Sequence, residues 1–196
     1  ARAFAIFDGG WDVSRAEENH AALVRMGDGI VPPPGSESDR PYSRFMAVYA
    51  AFCRWHMKTY GTTQRQIAAV CAKNHGHSVH NPYSQFRKSF TIDEVLAAPP
   101  ITYPITLPMC APLSDGAAAA ILCSEDGLKR IGADRARCAR IAASVVRSFT
   151  HRRLDEPEKH VGRLAALQAY EIAGLGPEDM DVAEVHDASA MGEIMQ

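Results

Sequence analysis

Long apolar runs, an excess of charge of one sign and paired cysteines are all scarce in this sequence, and each scarcity excludes something. No stretch approaches the ~20 apolar residues that a membrane-spanning helix needs. The longest candidates, AVYAAFC at 47–53 and AAAAILC at 117–123, are far too short. No stretch reads as a secretory signal either. The 21 basic and 23 acidic residues leave a net charge of -2, which gives no electrostatic case for nucleic acid or an anionic membrane as the main partner. Five cysteines, an odd number without paired spacing, argue against a disulfide framework and for a reducing compartment. A soluble intracellular protein is expected.

What is present is ordinary for a globular chain. At 196 residues, with 46% hydrophobic and 22% charged residues, it is long enough to bury a real core and too apolar to be disordered throughout. Basic residues gather locally at Arg135, Arg137, Arg140, Arg147 and 151–153. A solvated face accounts for most such clusters, and a patch for the phosphates of a nucleotide-bearing ligand is the sharper alternative. The chain begins with Ala1 and runs to Gln196 without a stop signal, so it reads as an interior portion of a longer protein.

Periodicity and punctuation give a sequence of elements. A short strand is expected at 1–12, and a helix at 13–28 capped by Ser14 with Glu17 as its partner. The Pro-rich stretch 32–39 reads as a loop. Apolar residues from Phe45 to Met57 recur at helical spacing and stop at Gly61, and a second helix begins at Thr62 or Thr63 and runs to about Lys73. Thr91 to Glu94 is a capping-box pattern opening a short helix that Pro99 and Pro100 end. The segment 101–107 is extended but, with Pro104 and Pro108, marginal to a sheet. Buried or half-buried strands are expected at 117–123, 138–146 and 182–185, with helices at 124–131 and from Pro157 to Gly174. The alternation implies an α/β class with a partly parallel, mixed sheet.

Three segments carry most of the information: KNHGHSVHNPYSQF at 73–86, MCAPLSDGAAAAI at 109–121 and VAEVHDASA at 182–190. In this order they resemble the sterol-carrier-protein-type thiolases, a branch of the thiolase superfamily that works on bulky 3-ketoacyl-CoA thioesters. The resemblance is good from about Tyr42 to the end and poor over 1–40. It implies a layered α/β fold of two similar halves with a helical loop domain inserted in the first. On that frame, 1–42 ends the N-terminal half and 43–105 is the helical loop domain. Residues 106–132 give the last strand and helix of the first half, and 133–196 opens the second.

The resemblance also implies roles. His186 stands where the family places an Asn or His that helps form the oxyanion hole for the thioester oxygen; a polar residue at a strand end is the plainer reading. The aromatic that the family has three residues after this His is Ser189 here, which bears on packing of the pantetheine arm. Cys110, Ala111, Pro112 and Ser114 are expected along that arm, with Ala188 and Ser189 opposite, although a tight turn feeding a small-residue strand needs the same residues. Cys110 is not the family's reactive thiol. His75, His77 and His80 do not match the common zinc spacings and lack a fourth ligand nearby, so no metal is expected, and the first motif reads as structural, near the CoA site or an oligomer contact. No cofactor is implied beyond the coenzyme A thioester itself, which would be substrate.

The family's Gly-His-Pro and Cys-X-Gly motifs are absent, and its nucleophilic cysteine has no counterpart among Cys53, Cys71, Cys110, Cys123 and Cys138. The expected function is a thiolase-like acyltransferase in lipid or sterol side-chain metabolism, with acyl-CoA and a homodimer or homotetramer as partners. A cytoplasmic site is expected, or a peroxisomal one in a eukaryote. A thiolase-fold aldolase acting on β-hydroxyacyl-CoA, or a non-catalytic acyl-CoA-binding or assembly subunit, are the alternatives.

Overall fold

The computed structural model describes residues 14–148, 152–153 and 156–196. The strand expected at 1–12 and the basic residue His151 lie outside these residues. In chain order the elements are α1 (Ala16–Arg25), α2 (Arg44–Tyr60), α3 (Gln64–Ser78), α4 (Ile92–Ala97), β1 (Pro100–Thr102), β2 (Ile105–Thr106), α5 (Glu125–Arg130), α6 (Val161–Ala173) and α7 (Ala190–Ile194), with short 3-10 turns between them. They fall into two units, Ala1–Pro112 with Glu184–Gln196, and Leu113–Ala183.

Local chemistry explains where the helices of the first unit start and stop. Ser43 caps α2 by accepting from the amide of Phe45, and Gly61 ends it in the left-handed conformation, φ 72°. Thr63 with Gln66, and Thr91 with Glu94, form reciprocal capping boxes at α3 and α4. The cap of α1 differs from the expected Ser14: the N-cap position is Arg15, whose guanidinium reaches Glu18 at 2.7 and 3.0 Å. Helix α3 also runs five residues past Lys73, so His75 and His77 sit on its last turns.

These helices pack because their facing residues are small or branched. Ala50, Cys53, Ile67, Ala68 and Val95 are buried with Ile105, Met109 and Met191 in one core, where close-packed apolar side chains supply most of the stability. The β1–β2 hairpin is antiparallel. It is tied to the helices by Arg54 Nη1 donating to the Tyr103 carbonyl at 2.6 Å and Gln64 Nε2 to the Pro104 carbonyl at 2.8 Å. Buried Thr106 donates its hydroxyl to the Val95 carbonyl at 2.7 Å.

The second unit holds α5, capped by Ser124, and α6, whose cap is His160 and whose stop is Gly174 at φ 67°. Helix α6 begins four residues later than Pro157, because 157–159 close as a 3-10 turn first. None of the residues of α6 is buried. The stretches 113–123 and 139–148 have no regular structure, and their backbones make no backbone–backbone hydrogen bond among the described residues.

The expected mixed sheet is therefore corrected: the described residues are mostly helical with one two-stranded sheet. No strand forms at 117–123, 138–146 or 182–185. The reason is physical. A strand is made by a ladder partner, and these segments have none, so Ile121, Leu122, Val146 and Val182 stay exposed. Helix α7, built on 190–194, had no counterpart in the periodicity. Among the described residues no helix is long and apolar enough to cross a membrane.

Candidate functional site

A cavity of about 240 Å³ lies wholly within the first unit. The last turns of α3 contribute Cys71, Asn74, His75 and Ser78, and the loop that follows contributes Ser84, Gln85 and Phe86. The opposite wall is the backbone run 108–112, and Asp187 and Ala190 complete it from the C-terminal segment. All three of the informative sequence segments thus meet here, although 22 residues separate the first from the second and 60 the second from the third.

Hydrogen bonds make the convergence specific. Cys110 pairs with Ser189 in an isolated antiparallel bridge, and the amide of Ala111 donates to the Ala188 carbonyl at 3.1 Å. From α3, Cys71 Sγ and His75 Nε2 both reach the Pro108 carbonyl, at 3.1 and 3.3 Å. A carbonyl only accepts, so the His75 proton sits on Nε2. Its Nδ1 is buried without a hydrogen-bond partner among the described residues, as is Ser189 Oγ. Ser78 Oγ lies 2.8 Å from the carbonyls of both His75 and Phe86, pinning the 81–86 loop to the end of α3.

The C-terminal segment is held by charge as well. Asn74 Nδ2 donates to Asp187 Oδ2 at 3.1 Å and to Glu193 Oε2 at 2.7 Å, while Lys73 Nζ lies 2.7 Å from Glu193 Oε1. Partial burial works to raise the Glu193 pKa, but the hydrogen bonds from Lys73 and Asn74 outweigh it and hold the carboxyl below its ordinary value. Tyr49, packed on the same core, has its phenol pushed up by burial and by the nearby Asp187 carboxylate. Burial pushes the Cys110 thiol up to about 12, with Cys71 adding to it, and raises Cys71 to about 11. Neither is a thiolate at neutral pH, so neither is a poised nucleophile.

The predicted site residues divide. Cys110, Ala111 and Pro112 line the cavity. Ala188 and Ser189 stand behind the wall, bonded to it, and Ser189 is fully buried. Ser114 belongs to the second unit and is exposed, and His186 is exposed and outside the cavity lining. The reading of the sequence passed over Asn74, Ser84, Gln85, Phe86 and Asp187. Their signal was present, because four of them lie in the 73–86 motif and the fifth follows His186, but nothing in the pattern pointed them inward.

No family model matches the chain. Sterol carrier protein 2 of Oryctolagus cuniculus is 42% identical over 146 residues, covering 71% of this chain and 26% of that protein. The benzoylsuccinyl-CoA thiolase subunit BbsB of Thauera aromatica is 35% identical over 180 residues, 91% of this chain and 46% of the subunit. The acetyl-CoA acetyltransferase of Methanothermobacter thermautotrophicus is 33% identical over 183 residues, 89% of this chain and 48% of the enzyme. The chain belongs to the thiolase-like family. Within it, the similarity runs to sterol carrier protein 2 and to acetyl-CoA acetyltransferases alike, and the chain spans about a quarter to a half of the length of these relatives.

Proposed function

We propose that the chain forms the acyl-CoA-binding portion of a thiolase-type acyltransferase acting on 3-ketoacyl-CoA, by thiolytic cleavage or the reverse Claisen condensation, in lipid or sterol side-chain metabolism. The observation that carries this reading is the joining of 109–112, 186–190 and 73–86 around one cavity. Cys110, Ala111 and Pro112 line the path of the thioester there, and the Ala188–Ser189 strand supports them from behind. His186 supplies a hydrogen-bond donor for the thioester oxygen, directly or through a water. Its imidazole is exposed and makes no side-chain hydrogen bond among the described residues, while its carbonyl accepts from Gln196 Nε2 at 3.1 Å. A donor aimed at a developing oxyanion is worth about 3 kcal/mol.

Burial raises the pKa of both thiols that line the cavity, so neither is proposed as the acyl carrier. That favours a second reading, in which this chain binds the acyl-CoA and does not itself cleave it. Homo-oligomers, and a cytoplasmic or peroxisomal setting, belong to either reading. Incubating the chain with a 3-ketoacyl-CoA and free CoA, while measuring thioester binding in parallel, separates them. Turnover supports the acyltransferase, binding without turnover supports the binding subunit, and absence of binding overturns both.

A further inference from the structure

The cavity contains no lysine or arginine, and its only formally charged lining group is Asp187. Lys73, one residue before Asn74 on α3, is engaged by Glu193 at 2.7 Å. Asn74 gives Asp187 a neutral hydrogen bond to Oδ2, and Oδ1 has no protein donor among the described residues. The C-terminal end of α3, a helix of 15 residues, borders the same space through Asn74, His75 and Ser78, and a helix C-terminus carries a partial negative charge. Two independent sources thus make the cavity negative, while Phe86, Met109 and Ala190 make part of its wall apolar. The remaining polar groups, the Ser84 hydroxyl and the Gln85 amide, make no side-chain hydrogen bond within the protein among the described residues and are neutral.

Resting on the reading of this cavity as the thioester site, we propose that Asp187 sets its charge specificity. The cavity admits an uncharged acyl group, including one that carries a hydroxyl or amide donor for Oδ1, and rejects an acyl group that ends in a carboxylate. A carboxylate entering it would approach Asp187 with no lysine or arginine in the lining to compensate it, and Coulomb repulsion in a partly solvated site is strong at short range. Asp187 therefore acts as a specificity-determining residue, and the polyanionic end of the CoA moiety lies outside this cavity.

The test uses pantetheine thioesters, which lack the CoA phosphates, with two acyl groups of equal length: glutaryl, ending in a carboxylate, and its terminal carboxamide. Titration calorimetry on the full chain at neutral pH should give a carboxamide preference of about tenfold. Asp187→Asn should bring the ratio near one, and Asp187→Glu should keep it, with circular dichroism reporting that each variant is folded. Equal affinities in the wild type, or a preference that survives in folded Asp187→Asn, overturn the specificity claim and leave the cavity reading standing. Absence of binding by either thioester overturns the cavity reading and this claim with it. If Asp187→Asn does not fold, ionic strength decides: an electrostatic preference shrinks as salt is raised, and one that salt leaves unchanged overturns the proposal.

Discussion

At the scale of single residues, burial rather than residue type sets the chemistry of the thiols. Cys53 and Cys110 are pushed up to about 12 and Cys71 to about 11, chiefly by desolvation, whereas Cys123 and Cys138 are exposed. Because the thiolate is the reactive form, alkylation at mildly alkaline pH should label Cys123 and Cys138, with the other three on the order of a hundredfold slower or more. Mass mapping checks this, and rapid labelling of Cys110 would contradict it. Glu193 gives a pH prediction. Its folded-state pKa is held below the ordinary 4.5, so its contribution is fully present above that value and is lost as pH falls through the folded-state pKa. Glu193→Gln should lower stability at neutral pH, and the gap to wild type should close on acidification below 4.5. Denaturation midpoints across that range measure it, and a gap that does not depend on pH would remove the Lys73–Asn74 latch from the account.

At the scale of elements, local rules made some boundaries legible and tertiary contacts decided the rest. Gly61, the Thr91 box and Gly174 could be read from residue type and spacing, because caps act within one turn. Helix α7 could not, because five residues give too little periodicity, and it is held by packing Ala190 and Met191 into the core. Of the cavity, Cys110, Ala111 and Pro112 were singled out through the family resemblance alone, since small residues suit a tight turn equally well. The inward placement of Asn74 and Asp187 was not, since it depends on a hydrogen bond across 113 residues. Gly192 is the point where α7 meets the site. A Cβ there would stand 3.1 Å from Asp187 Cα and 3.3 Å from the His186 carbonyl, so the neighbouring backbone would have to yield by a few tenths of an ångström. Alanine is the better helix former by about 0.5–1 kcal/mol. Gly192→Ala should therefore weaken thioester binding severalfold while leaving stability within about 1 kcal/mol. Calorimetry beside denaturation separates the two effects, and unchanged affinity would show that the 186–187 backbone need not be placed so closely.

At the scale of the whole molecule, the two units differ in how their apolar surface is covered. The first unit buries a continuous core from α2, α3, α4 and α7. In the second, Ile121, Leu122, Ile141 and Val146 remain exposed on segments whose backbone makes no backbone–backbone hydrogen bond among the described residues, which is the condition for easy local cleavage. Brief thermolysin digestion should cut within 113–148 well before it cuts α2 or α3. Protection of 113–148 would mean that these segments are paired by another surface in the protein. The strands expected there failed for the same reason: periodicity shows that a segment suits a sheet, and only a neighbour makes it one.

The central claim is that three distant segments form one acyl-thioester site, and amide chemical-shift mapping of the full chain during titration with a 3-ketoacyl-CoA tests it most directly. Shifts that saturate together at Ser84, Gln85, Ala111 and Asp187, with smaller ones in α1, are the predicted result. Saturable binding that leaves these four amides unmoved, or no binding at all, would contradict it.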